Sequence, residues 1–121
     1  MKKLLFTFAF LLCASFAHAQ ATPASKLGWD QAAADLATAN AYSYKHYDDL
    51  SVTGVALAPA TCTGTASPFA CQAPFPAFTP GATHTIAITA SNVAGESLKS
   101  TPLSFQFIVI PAAPTNLRII P

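Results

Sequence analysis

Histidines, cysteines and clustered carboxylates are the residues that could carry chemistry in this chain, and they are few. His46 sits beside Tyr47, Asp48 and Asp49, a grouping with the side chains of a metal site or an acid–base pair. In an extended segment neighbouring side chains point to opposite faces, so His46 and Asp48 can converge while Tyr47 and Asp49 turn away. Two ligands fall short of the three that a catalytic zinc ordinarily takes, so a solvated turn is expected here. Serines and threonines abound, yet no Gly-x-Ser-x-Gly elbow, arranged base or glycine-rich phosphate loop accompanies them. The expectation is a protein without catalytic residues, metal ligands or cofactor.

The cysteines read differently. Cys13 lies in an apolar leader, which leaves Cys62 and Cys71 as an even pair whose connectivity is forced if they join. A closed loop this short is worth roughly 2 to 3 kcal/mol by chain entropy. A redox or metal role would want a closer pair or convergent histidines, so a structural staple in an oxidising compartment is expected.

The leader supports that compartment. Lys2 and Lys3 precede an almost wholly apolar run from Leu4 to Phe16, and Ala17-His18-Ala19 offers small residues at the positions a signal peptidase requires. Residues 1–19 therefore read as a signal peptide of bacterial style, cleaved near Ala19, and the protein as secreted or periplasmic. The apolar run is shorter than the roughly 20 residues that span a bilayer. No membrane insertion is expected once the leader is removed, and Leu12 before Cys13 argues against lipidation.

Removing that leader from the 121 residues leaves roughly 100, enough for one domain. Lys26, Lys45, Lys99 and Arg118 face Asp30, Asp35, Asp48, Asp49 and Glu96, so the mature chain is close to neutral, without a basic patch. Nucleic acid is therefore not an expected partner. Abundant Thr, Ser, Ala and Pro with a good supply of aromatics suit a β-rich extracellular protein.

Period-two patterns locate the strands that must position these residues. Leu27 and Trp29 share one side of an extended segment, as do Tyr42 and Tyr44. Gln31 to Asn40 has only Leu36 as a large apolar anchor and reads as a loop with room for one helical turn. Asp48-Asp49 suggests a turn, and Val52 to Leu57 alternates around Gly54. Between Cys62 and Cys71, Gly64 and Pro68 predict a hairpin-like loop pinned at its base. Pro74 and Pro76 make Ala73 to Phe78 an edge strand or an irregular segment. His84 to Ala90 is the clearest strand, with His84, Ile86, Ile88 and Ala90 on one face. Leu103 to Ile110 follows, with Leu103, Phe105, Phe107 and Val109 aligned. Short strands at this spacing predict a sandwich whose core holds Trp29, Tyr42, Tyr44, Ile86, Ile88, Phe105 and Phe107.

The run Thr79 to Ser97, with its Pro80-Gly81 turn, its alternating strand, then Asn92 and the turn Gly95-Glu96-Ser97, resembles the end of a fibronectin type III domain. Leu27-Gly28-Trp29 resembles that family's second strand with its core tryptophan, and Tyr42-Ser43-Tyr44 its third. The resemblance covers most of Lys26 to Val109. It implies an all-β, immunoglobulin-like sandwich over residues 20–110. Two positions depart from the family. His84 stands where a tyrosine usually bonds back to the preceding turn, a bond that an imidazole nitrogen can also make. The first strand looks absent, while Pro111 to Ile120 resembles such an opening strand, so residues 111–121 read as a tail that supplies it, a linker, or the start of a further strand.

The expected role is a non-catalytic secreted binding or adhesion module presenting loops to a protein or glycan. Its contact surfaces would be the loops Gln31 to Asn40 and Thr63 to Ala70, with Tyr47, Phe69 and Phe75 as candidate contacts, although for these and Phe78 packing as a satellite cluster under a long loop is the favoured reading. The alternative is a structural subunit that self-associates by strand exchange through its tail.

Overall fold

The computed structural model describes residues 19–121; the signal-peptide expectation falls on residues 1–18 and so lies outside the described residues, apart from Ala19. Two β-sheets pack together. The wide sheet runs in the order β1 (Ala19–Ala21), β9 (Leu103–Phe107), β7 (Thr83–Asn92), β3 (Ser43–Asp48) and β4 (Val55–Ala56), and β8 (Gly95–Glu96) pairs with the far end of β7. The narrow sheet has three strands, β2 (Lys26–Gln31), β6 (Phe69–Pro74) and β5 (Thr61–Thr63), with β6 in the centre. The architecture is the expected all-β sandwich.

The inward faces follow the alternation. Tyr44 and His46 of β3 stand opposite Ala90 and Ile88 of β7, and His84 and Ile86 stand opposite Phe105 and Leu103 of β9. Leu27 from the narrow sheet joins Ala21, Ile86, Phe105 and Phe107 in one cluster of buried side chains, with Phe75, Phe78 and Ile88 packed against it. Ala39, Cys62, Phe69 and Cys71 form a second cluster. Trp29 packs against both and meets the Tyr44 ring edge-on with centroids 4.9 Å apart. Its indole nitrogen is buried without a hydrogen bond of proper geometry, while the Tyr44 hydroxyl donates to the Ala39 carbonyl at 2.9 Å. Tyr42 sits half-buried at the margin of this core.

Several expectations are corrected. Residues 111–121 form no strand; Ala19–Ala21 takes the edge position instead, running parallel to β9 with Ala21 buried opposite Phe107. The strand expected through Ile110 stops at Phe107, and Val109 is exposed, because β1 offers its last carbonyl to the Ile108 N–H and neither neighbour continues beyond. Of the Val52 to Leu57 run, Val55–Ala56 pairs with β3 and the Leu57 N–H donates to the Tyr44 carbonyl, leaving Val52 exposed. The stretch Gln31 to Asn40 gives way to a helix, α1 (Leu36–Ala41), that opens at Asp35, whose carboxylate accepts from the Thr38 N–H at 2.7 Å.

Cys62 and Cys71 are directly opposite each other in the β5–β6 hairpin and are joined by a disulfide. Replacing both with alanine should lower the unfolding free energy by about 2–3 kcal/mol in denaturant titration. Phe105→Ala, which empties the site of the largest fully buried side chain among the described residues, should cost about 3–5 kcal/mol. If the staple proves costlier to remove than Phe105, the hairpin rather than the inter-sheet core holds the domain together.

Candidate functional site

The loops expected to reach a partner are tied to one another. Asn40 accepts from the Cys62 N–H at 2.8 Å and donates to the Cys62 carbonyl at 3.2 Å, fastening α1 to β5. The Ala33 N–H donates to the Ser67 hydroxyl, linking the two loops directly. Phe69 is only 4 % exposed and belongs to the disulfide cluster, so it offers no contact surface. Phe75 packs edge-on to Phe105 at 4.9 Å and stacks near Phe107, serving the core.

Tyr47 keeps part of its surface, but its ring is engaged by two neighbours. A Cβ on Gly54 would come within 2.6 Å of that ring, and the Lys99 ammonium lies 4.2 Å from its centroid. The Tyr47 hydroxyl donates to Glu96 Oε1, which also accepts from the Thr89 hydroxyl at 2.6 Å, while Lys45 reaches Glu96 Oε2 at 3.3 Å. The hydroxyls of Thr89 and Tyr47, then Lys45, hold the Glu96 carboxyl down at about 2. This network covers the outer face of the wide sheet. It is a brace with its donors already used.

The histidines fall into separate places. His46 is buried and its Nδ1 lies 2.6 Å from Asp48 Oδ1, whereas Tyr47 points to the other face, as strand alternation requires. Among the described residues no group of three or more His, Cys, Asp or Glu could hold a metal. Asp49 instead serves His84. Its Oδ1 accepts from the Thr85 N–H at 3.0 Å and its Oδ2 lies 2.8 Å from His84 Nδ1. His84 Nε2 lies 2.8 Å from the Thr79 carbonyl, so the imidazole does bond back to the preceding turn. A carbonyl and a carboxylate can only accept, which makes both ring nitrogens donors and favours the imidazolium. The Thr79 carbonyl first, and Asp49 next, accordingly raise the His84 pKa above its ordinary value.

The remaining feature was not apparent in the sequence. The narrow sheet leaves one side of the sandwich open, and three adjoining clefts of about 220, 180 and 340 Å³ run along it. Leu27, Trp29 and Gln31 form one wall, Ile86, Ile88 and Ala90 the floor, and Ser97, Ser100 and Leu103 the other wall. The far wall lacks regular strand structure. The Ser100 and Ser97 hydroxyls there accept from the Ile88 and Ala90 N–H groups, both at 3.0 Å. Leu103 faces inward beside Ile86 but is 43 % exposed, because no strand of the narrow sheet lies above it.

The rim of this groove is the unpaired edge of β2. The Phe75 N–H donates to the Ser25 carbonyl, which sets the phase of the antiparallel ladder: Leu27, Trp29 and Gln31 exchange hydrogen bonds with β6. Lys26, Gly28 and Asp30 then turn their N–H and C=O groups outward, where none finds a backbone partner among the described residues. Pro74 stands opposite Lys26, at a position that needs no N–H toward β2.

Fold and site together define a disulfide-stapled two-sheet β-sandwich with an open edge beside an apolar groove. Comparison of the chain with protein-family models, curated proteins and solved structures returns no match.

The His84 geometry gives a pH test. Its folded pKa lies above the unfolded 6.5, so the stabilisation is fully present below about 6.5 and is lost as pH rises through the folded value. Melting temperature should therefore decline from pH 6 to pH 9. His84→Tyr should remove that part of the decline, and identical pH profiles for the two proteins would exclude His84 as its source.

Proposed function

We propose that this chain is an exported, non-catalytic binding module of the fibronectin type III kind. It takes an extended segment of a protein partner as an added strand along β2. The observation that carries the reading is the unpaired β2 edge, with outward Lys26, Gly28 and Asp30 backbone groups beside a groove floored by Ile86 and Ile88. An extended peptide would gain main-chain hydrogen bonds from the edge and specificity from alternate side chains set into the groove.

Other features support the same reading. The disulfide suits an oxidising, extracellular compartment, and no described helix is long and apolar enough to cross a membrane. The Trp29 strand, the Pro80-Gly81 turn and the bond from His84 back to Thr79 match the family's pattern of a core tryptophan and a braced corner. A glycan partner finds less support, since stacking a sugar needs a free aromatic face. Phe69 is buried, Phe75 is packed, and Tyr47 is engaged by Gly54 and Lys99. The tethering of α1 to the β5–β6 hairpin likewise supports the edge rather than the loops as the contact surface.

Gly28→Pro tests this directly, because proline removes an outward N–H without touching the β2–β6 ladder. Short random peptides displayed on phage and selected on the processed protein should enrich sequences that alternate apolar and polar residues. Gly28→Pro should weaken them at least about tenfold, roughly 1.4 kcal/mol, with little change in melting temperature. Peptides that bind the variant equally well, or that protect the Thr63 to Ala70 loop from amide exchange instead of β2, would overturn the reading.

A further inference from the structure

The molecule carries a second unpaired feature that matches the first. After Ile108 the chain leaves the sandwich, and Leu117 and Ile119 are 99 % and 94 % exposed. Residues 115–120, Thr-Asn-Leu-Arg-Ile-Ile, are a proline-free run of six between Pro114 and Pro121, the same length as β2. We propose that this segment of one copy adds as an antiparallel strand to the β2 edge of a second copy, with Leu117 and Ile119 filling its groove. The proposal rests on the reading above that the β2 edge is the binding surface.

Register and charge agree. Residues directly opposite in an antiparallel pair share a face, so Leu117 and Ile119 can lie over the groove only if Arg118 lies on the solvent face. The solvent face of β2 carries Lys26, Gly28 and Asp30. Pairing Arg118 with Asp30 sets Ile119 opposite Trp29 and Leu117 opposite Gln31, which places both apolar side chains along the groove wall. Asp30 has no hydrogen-bonding side-chain partner within its own chain among the described residues, and Arg118 reaches only the nearby Asn116 carbonyl at 3.5 Å.

Geometry favours a second copy over the same one. β9 ends beside Ala21, whose carbonyl accepts from the Ile108 N–H at 2.8 Å, and the turn Thr22 to Ser25 leads directly from Ala21 into β2. The tail therefore departs from the Lys26 end of β2. To lie antiparallel on its own β2 it would first have to travel the strand's full length, about 20 Å at ~3.3 Å per residue. Residues 109–114 span about that distance only when fully extended. Nothing would remain for the reversal, and Pro111 and Pro114 stiffen the path. Each copy carries one tail and one edge, so the contact either closes by reciprocal exchange between two copies or continues from copy to copy.

Sedimentation velocity of the processed full-length chain over a wide concentration range tests this. Wild type should give dimers or larger oligomers whose share grows with concentration. Truncation after Pro111 removes the donor and Gly28→Pro blocks the acceptor, and each variant alone should be monomeric. Mixed in equal amounts, the two should form a heterodimer and nothing larger, since the truncated chain still offers an edge and the Gly28→Pro chain still offers a tail. Arg118→Asp should weaken assembly, and adding Asp30→Arg should restore it. Oligomers that survive truncation, or a mixture that stays monomeric, would overturn the proposal. So would a wild-type monomer, whether the Lys26, Gly28 and Asp30 amides are protected by its own tail or exchange freely. In each of those cases the displayed peptides still judge the β2 edge separately. If they lose affinity to Gly28→Pro, the binding-module reading stands and only the identity of the occupant falls.

Discussion

Three strands cannot roof a sheet five strands across. The narrow sheet reaches Phe105 and Phe107 of β9 through Leu27 but leaves Leu103 uncovered, and much of the molecule's organisation follows from that mismatch. Phe75 and Phe78, on the irregular segment after β6, cover Phe105 and Phe107 at one end. At the other end no such cover exists, so Leu103 stays half in solvent and the groove remains. Burying apolar surface yields roughly 25 cal/mol per Å², so the half-exposed Leu103 is apolar surface whose burial the fold leaves unrealised.

Within the covered region the stabilisation is shared between two clusters joined through Trp29. One is the inter-sheet core around Phe105. The other is the disulfide hairpin with α1 resting on it, where Asn40 satisfies both backbone groups of Cys62. For a domain of about 100 residues, net stability of the order of 5–15 kcal/mol is usual. A contribution of a few kcal/mol from either cluster is then a large share of the whole, and Trp29 couples their fates.

Much of this architecture was legible from alternation. The phases of Leu27/Trp29, Ile86/Ile88 and Phe105/Phe107 predict the inward faces correctly, although on β7 Ala87 and Thr89 of the opposite face are buried as well. The hairpin was legible because two cysteines leave one pairing. What failed were terminations and partners. Val109 continues the pattern of β9, yet a strand extends only where a neighbour does, and that depends on distant residues. Phe69 falls within the Thr63 to Ala70 run read as a loop, but it opens β6 opposite Gln31 and is buried with the disulfide and Ala39. The groove had no local signal, since it arises from a strand that is missing from the narrow sheet rather than from any residue that is present.

β7 is anchored at its two ends by groups with opposite responses to protons. At the Thr83 end, His84 clasps Thr79 and Asp49 through a ring that must be charged to hold both. At the Asn92 end, Glu96 gathers Thr89, Tyr47 and Lys45 through a carboxylate that stays ionised until the surroundings are strongly acidic. Alkaline conditions therefore slacken one end of the central strand while the other stays clamped. Any fraying of the wide sheet under such conditions would start beneath Phe78 and travel toward the β8 turn, giving the fold a preferred direction of opening.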